Sequence, residues 1–190
     1  MKKRTKILLA TLAMIFLAVL IGGYAYLSDY YHANDFAIEA TAVQEDGVPV
    51  EQDSSVTWFL PSQPTAGLIF YPGGKVEDTA YAPLMRALAE KGILCGLVKM
   101  PGNLAVLSPN AADGLRQVHP VITDWYIGGH SLGGAMGPRK GTVPPPSPTR
   151  NRFSKLQRAF QNLSTIPHSE SGGASFLRGS ACVLRSVSIT

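Results

Sequence analysis

Residues 125–136 read WYIGGHSLGGAM and carry the most specific structural signal in the chain. WYIG is a short apolar run of the kind found in buried strands. GHSLG, which follows directly, fits the pattern GxSxG, in which a serine occupies a sharp turn between a strand and a helix. Glycines on both sides of such a turn avoid collisions with neighbouring backbone. The stretch therefore predicts a nucleophile elbow with Ser131 at its tip.

Two further apolar runs precede the elbow. Residues 67–71 (GLIFY) are uninterrupted by polar side chains and end in the loop PGGK, and residues 93–98 (ILCGLV) have the same character. Continuous runs of this length are typical of strands buried on both faces of a parallel sheet. Because a helical pattern separates them, the sequence predicts a βαβ unit.

The helix between these two runs has one apolar side. Its apolar members recur at helical spacing: Tyr81, Leu84, Met85 and Leu88. We expect Arg86 to lie on the opposite side, turned to solvent with Glu90 and Lys91, and we expect Gly92 to end the helix. Residues 111–118 allow another short helix, which Pro120 prevents from extending.

Two strands are expected nearer the N-terminus. Residues 36–43 (FAIEATAV) alternate between apolar and polar or small side chains, and residues 56–60 (VTWFL) form a β-rich run. Alternation with a period of two indicates a half-buried strand.

Together these stretches resemble the α/β-hydrolase superfamily over roughly residues 36–136. FYPGGKVEDTAYAPLMRALAEKGI, VKMPGNLAVL and WYIGGHSLGGAM are similar to its dienelactone-hydrolase-like branch. The resemblance implies a partial, mostly parallel α/β-hydrolase sheet with flanking helices. It also implies an ester-like small-molecule substrate, no metal and no cofactor.

The resemblance further implies the roles of individual site residues. Ser131 would be the nucleophile, and the backbone N–H of Leu132 one donor to the oxyanion. A second donor would come from the loop at Gly73, Gly74 or Lys75. Both donors would stabilise the tetrahedral intermediate of acyl transfer.

The remaining members of a catalytic triad are not evident. In this superfamily the acid and then the histidine follow the serine, whereas this chain has His168 before Glu170, with no strand to position either. His130 adjoins Ser131, but neighbours in an elbow point apart, so we expect it to pack or orient. His32 and His119 are expected at the surface.

An apolar segment lies at the N-terminus. Residues 7–27 contain no charge and follow the basic cluster MKKRTK, and at about 1.5 Å per residue they span roughly 30 Å, the thickness of a bilayer core. We expect an uncleaved, single-pass signal anchor that leaves the basic end in the cytoplasm and exports the rest. A cleaved secretory signal, giving a secreted protein, is the alternative.

The net charge of +4 averages over three different pieces. Residues 28–136 hold 12 acidic and five basic side chains, whereas residues 137–190 hold one acidic and eight basic. The acidic middle piece argues against nucleic acid as a partner. We expect three parts: the anchor (1–27), the hydrolase part (28–136) and a basic tail (137–190). Cys95 is expected to be a buried thiol rather than a disulfide partner.

The tail differs from the preceding sequence in composition and periodicity. Gly137 and Pro138 interrupt the helix that should follow Ser131, and an interior proline costs about 3 kcal/mol or more. We hypothesise that native hydrolase sequence ends near Met136 and that an irregular tail follows from a shifted reading frame or similar interruption. A genuine basic tail that binds acidic lipid or protein is the competing interpretation.

Two functions follow from these features. One is a membrane-anchored extracytoplasmic serine hydrolase that transfers acyl groups to water, with little turnover by this chain because its triad acid and histidine are missing. The other is a non-catalytic anchored binding protein that uses the same cleft.

Overall fold

A computed structural model of the chain describes residues 3–42, 47–137 and 182–187. It divides into two compact units, Met1–Tyr30 and Tyr31–Thr190. The first unit contains helix α1 (Lys3–Ser28), none of whose side chains is buried. By length and composition α1 could cross a membrane, although an N-terminal signal sequence has the same properties.

The second unit is built on a six-stranded sheet. Its strands are β1 (Val50–Gln52), β2 (Val56–Phe59), β3 (Ala66–Tyr71), β4 (Ile93–Val98), β5 (Trp125–His130) and β6 (Cys182–Val187). They lie in the order β1-β2-β4-β3-β5-β6. The strands predicted at 56–60, 67–71, 93–98 and 125–128 are thus confirmed, with small changes at their ends.

The sheet is mixed, so the expectation of a mostly parallel sheet is wrong. Strand β3 is parallel to both β4 and β5, which confirms the predicted βαβ unit. The other three pairings are antiparallel. The antiparallel strands lie at the two edges of the sheet. A β1–β2 hairpin pairs with β4 on one side, and β6 pairs with β5 on the other.

Short helices and turns connect these strands. The described helices of the second unit are α2 (Asp35–Glu39), α3 (Ala82–Ala89) and α4 (Leu132–Met136), and its 3-10 turns are Asp78–Tyr81, Pro101–Asn103, Ala105–Leu107 and Leu115–Val118. The helix expected over residues 111–118 is reduced to the last of these turns. Gly114, with φ of 82°, breaks it in the middle.

The strand predicted at residues 36–43 is wrong, since this segment contains helix α2. The side chain of Asn34 accepts a hydrogen bond from the Ala37 amide at 2.9 Å and so caps the helix. Ala37 and Ala40, three residues apart, are buried, whereas Phe36 and Ile38 are exposed. The apparent alternation therefore reflects small alanines packed at helical spacing.

Arg86 is buried, with 8% of its surface exposed, and this overturns its predicted position in solvent. Its guanidinium donates to the carbonyl oxygens of Ala40 at 2.8 Å, Ala42 at 2.6 Å and Val48 at 3.3 Å. A guanidinium has five N–H donors in a fixed fork and can satisfy several carbonyls at once. Arg86 thereby ties the segment after α2 to α3.

Apolar side chains cover both faces of the sheet. One cluster includes Phe59, Leu68, Phe70, Met85 and Leu88, and the other includes Trp58, Ile69, Tyr71, Trp125 and Ile127. Two glycines make room for the tryptophans: a β-carbon on Gly96 would lie 2.5 Å from the Trp58 ring, and Gly67 is covered by Trp125 in the same way. Cys95 is buried and free, and burial raises the pKa of its thiol.

Strand β6 lies within the segment for which the sequence predicted an irregular tail. It pairs with the whole of β5, from Trp125↔Val187 to His130↔Cys182, and so occupies the second edge of that strand. Apart from Gly137, the other residues of the tail, including His168 and Glu170, lie outside the described residues. The proposed end of native sequence near Met136 and the three-part division stay predictions.

Candidate functional site

Ser131 lies between the end of β5 and the start of α4, and it is exposed. Its φ of 49° and ψ of −117° place a non-glycine residue in the left-handed half of conformational space. A β-carbon on Gly129 would lie 2.6 Å from the carbonyl carbon of Gly133. One on Gly133 would overlap the carbonyl oxygens of Tyr71 and Pro72. The turn is therefore possible only with glycine at these two positions.

The loop that follows β3, residues 72–75, lies against the start of α4. We call it the glycine loop. A β-carbon on Gly74 would lie 2.9 Å from Cδ2 of Leu132, the residue after Ser131. Because β3 and β5 are adjacent and parallel, their carboxyl ends meet at one edge of the sheet. The predicted site residues Gly73, Gly74, Lys75 and Leu132 are thus brought next to Ser131.

The three backbone N–H groups of the glycine loop differ in their hydrogen bonding. The Gly73 N–H donates to the Tyr81 hydroxyl at 3.1 Å, and the Lys75 N–H donates to the carbonyl oxygen of Asn103 at 2.8 Å. Among the described residues, no acceptor is found for the Gly74 N–H or for the Leu132 N–H. Of the three donors that the sequence offered, Gly74 alone remains available.

Tyr81 and His130 form a buried polar pair beneath the glycine loop. The Tyr81 hydroxyl lies 2.8 Å from Nδ1 of His130, and each residue exposes 1% of its surface. Burial lowers the pKa of His130, which favours a neutral imidazole. The sequence predicts for Tyr81 only a place on the apolar side of a helix. A buried tyrosine hydroxyl needs a polar partner, and that is the signal which could have identified it.

Unusual backbone conformations concentrate around this site. In the described part of the chain, the non-glycine residues with positive φ are Lys75 at 58°, Asn103 at 55° and Ser131 at 49°. Lys75 and Asn103 are joined by the hydrogen bond described above, and Ser131 is the elbow residue. Strained backbone of this kind clusters at functional sites, where the surrounding structure maintains it.

The segment after β4 gives the site an apolar border. Cδ2 of Leu104 would lie 3.8 Å from a β-carbon on Gly74. Val106 and Leu107, in the adjoining 3-10 turn, are both more than half exposed. An apolar group bound beside the glycine loop would find favourable contacts here.

The other two described histidines, His32 and His119, make contacts of their own. His32 is mostly exposed, with Nδ1 3.6 Å from Oε2 of Glu77. His119 is only partly at the surface, contrary to expectation, because its ring packs edge-on against Trp58 with 4.5 Å between centroids. Burial lowers the pKa of His119 as well.

Within the described residues, no side chain hydrogen-bonds the Ser131 hydroxyl, and no group of three or more His, Cys, Asp or Glu could hold a metal ion.

Residues 67–142 match the family model of the alpha/beta hydrolase family. This match supports an alpha/beta hydrolase domain. It begins in β3 and includes the glycine loop, β4, β5 and the elbow, but it covers less than half of the 190 residues. No curated protein and no solved structure gives a significant match to the chain.

Proposed function

We propose that the second unit is a serine hydrolase of ester or lactone type, with Ser131 as its nucleophile. The principal support is the backbone of Ser131, which presents an exposed hydroxyl from a strained turn, beside two amides that have no acceptor among the described residues. Families of this fold are generally hydrolytic and act on small-molecule substrates.

The reaction would proceed through an acyl-enzyme. Ser131 Oγ forms a bond to the carbonyl carbon and loses its proton to water, while the carbonyl π electrons move onto oxygen. The same proton, carried by water, is returned to the leaving oxygen when the intermediate collapses. The amides of Leu132 and Gly74 donate to that oxyanion. Collapse of the intermediate expels the alcohol, and water then attacks the acyl group and restores the Ser131 hydroxyl. Removal of one such donor typically costs about 10²-fold or more in rate.

We expect slow turnover by this chain. Among the described residues no imidazole hydrogen-bonds Ser131, and His168 and Glu170 occur in the reverse of the usual order. Without a histidine base, a serine site keeps only the contributions of the oxyanion hole and of substrate binding, roughly 10³–10⁴-fold over water.

The dienelactone-hydrolase-like branch is part of this proposal, on the strength of the quoted stretches from FYPGGK to GGHSLGG. The apolar border at Leu104, Val106 and Leu107 favours a substrate with an apolar group next to the reacting carbonyl.

We further propose that α1 anchors the protein in a membrane, with its basic end in the cytoplasm and the hydrolase unit outside. Alkaline extraction of membranes and protease accessibility in intact spheroplasts test this. Resistance to extraction together with external cleavage supports the anchor. Full recovery in the medium supports the cleaved-signal alternative.

A fluorophosphonate probe tests the nucleophile directly. The full chain, in detergent micelles, should be labelled slowly, and Ser131→Ala should abolish the label while the near-ultraviolet circular dichroism of the buried tryptophans is unchanged. Folded protein that takes up no label would instead favour the non-catalytic anchored binding protein. In the part of the chain that the structure describes, no base is hydrogen-bonded to Ser131, and this observation favours that second candidate.

A further inference from the structure

We propose that Tyr81 and His130 are positioning residues that fix the glycine loop so that the Gly74 amide, and not those of its neighbours, faces the reacting oxygen. The proposal deepens the function proposed above and rests on it. Neither residue needs to touch the substrate for this role.

The first support is the pattern of amide partners along the loop. The N–H groups on either side of Gly74 are both used: Gly73 donates to Tyr81 at 3.1 Å and Lys75 to Asn103 at 2.8 Å. Peptide units are rigid planes. Fixing the planes before and after the Gly74 N–H therefore limits the orientations that this amide can take.

The second support is the close packing of the loop onto the polar pair. A β-carbon on Gly73 would lie 2.6 Å from Nδ1 of His130 and 2.8 Å from the Tyr81 hydroxyl. The backbone at Gly73 thus rests directly on both side chains. A shift of either one must be transmitted to the loop, because a packed interior leaves little free volume.

The third support is the rigidity of Tyr81 itself. It ends the 3-10 turn Asp78–Tyr81, and its ring packs against Phe70 with 5.1 Å between centroids and against His130 with 5.7 Å. The hydroxyl is therefore held by the core of the sheet. Since His130 directly precedes Ser131, the pair connects the loop after β3 with the nucleophile after β5.

Tyr81→Phe in the full chain tests the proposal, with Tyr71→Phe as a matched control. Tyr71 is equally buried, and its hydroxyl also makes two hydrogen bonds, to Pro109 and Ala112, but these tie down a different loop. Exchange of the Gly73 amide, followed by NMR after ¹⁵N-glycine labelling, should accelerate about tenfold in Tyr81→Phe, the effect of losing one ordinary hydrogen bond. It should be unchanged in Tyr71→Phe.

A second measurement reports on the hydrogen bonds that the oxyanion receives. Ser131 is labelled with a fluorophosphonate and with its thiophosphonate analogue, whose sulfur accepts hydrogen bonds weakly. Misplaced donors lower the oxo/thio rate ratio, whereas simple destabilisation lowers both rates and leaves the ratio unchanged. We expect a several-fold lower ratio in Tyr81→Phe alone. Unchanged Gly73 exchange in folded Tyr81→Phe would overturn the proposal, and so would an unchanged ratio.

A pair of variants at His130 serves if Tyr81→Phe does not fold. Asparagine places a polar atom near the position of imidazole Nδ1, and leucine does not. His130→Asn should keep the Gly73 exchange rate close to wild type, and His130→Leu should raise it; equal rates in both would overturn the proposal. If wild-type Ser131 takes up no label, the hydrolase function fails, while the exchange of Gly73 still decides the role of Tyr81.

Discussion

The α-carbon of Gly133 lies so close to the carbonyl oxygen of Pro72 that no β-carbon fits between them. This contact seats the first turn of α4 on the end of β3. It thereby sets the separation between Ser131 and the glycine loop, on which two donors converging on one oxygen would depend.

Gly133→Ala should therefore damage the site more than its small volume suggests. The new methyl group meets backbone, which cannot rotate away, so we expect a loss of about 2 kcal/mol or more in unfolding free energy and no labelling of Ser131. Gly137→Ala is the control, because its β-carbon would meet the Ile127 side chain at 3.2 Å and backbone only at an ordinary contact distance, 3.5 Å from the carbonyl oxygen of Gly133. Equal stability of the two variants in urea titrations would contradict this account.

Ser131→Gly should be more stable than Ser131→Ala by about 1 kcal/mol. Alanine keeps the β-carbon that makes φ of 49° unfavourable, whereas glycine adopts that angle freely. Thermal unfolding of the two variants measures the difference. If alanine were equal or better, the backbone of Ser131 would not be strained.

Arg86→Met should lower the unfolding free energy by about 3 kcal/mol or more, since it leaves the carbonyl oxygens of Ala40, Ala42 and Val48 without their donor. Arg86→Lys should fall between this variant and wild type, because an ammonium cannot reach all three oxygens. Lys91→Met, at an exposed position near the end of α3, is the control and should change stability little. A small effect of Arg86→Met in chemical denaturation would contradict a stabilising role for these three hydrogen bonds.

Stability should decrease as the pH falls below about 6.5. Burial lowers the pKa of His130 and of His119 from the usual value of 6.5, so the unfolded chain binds more protons than the folded chain in this range. The stabilisation is complete above 6.5 and is lost towards the folded-state values. Unfolding measured between pH 5 and 7 should show a shallower slope in His130→Asn and in His119→Asn. An unchanged slope in both would show that neither imidazole is held neutral.

The sequence predicted the centre of this fold because its signals there are local. Strands β3, β4 and β5 are continuous apolar runs, and Gly129 is required by its contact with Gly133, four residues away. Gly133 is required by the more distant Pro72, but its place in the pattern GxSxG marks it in the sequence. Strand β6 could not be predicted, since its pairing with β5 joins residues 52 to 62 positions apart, from His130↔Cys182 to Trp125↔Val187, and its own composition is ordinary.

Two other features depended on partners distant in the sequence. Arg86 looked like a solvent-exposed residue of α3, and only the carbonyls of the segment after α2 make its burial favourable. Tyr81 fitted the apolar side of the same helix, but the position of its hydroxyl under Gly73 depends on the packing of β3 against β5. Helix α2 was not predicted because its buried residues are alanines, which do not stand out as an apolar pattern at helical spacing.

The three left-handed backbone positions, Lys75, Asn103 and Ser131, have a consequence for laboratory evolution. Each of these residues has a conformation that glycine would adopt at a lower energy. Natural proteins are commonly below their stability optimum because residues needed for function are kept at such positions. A library selected for heat resistance alone should accumulate glycine at 75, 103 and 131. One selected for labelling at Ser131 should retain serine and accept the lower melting temperature.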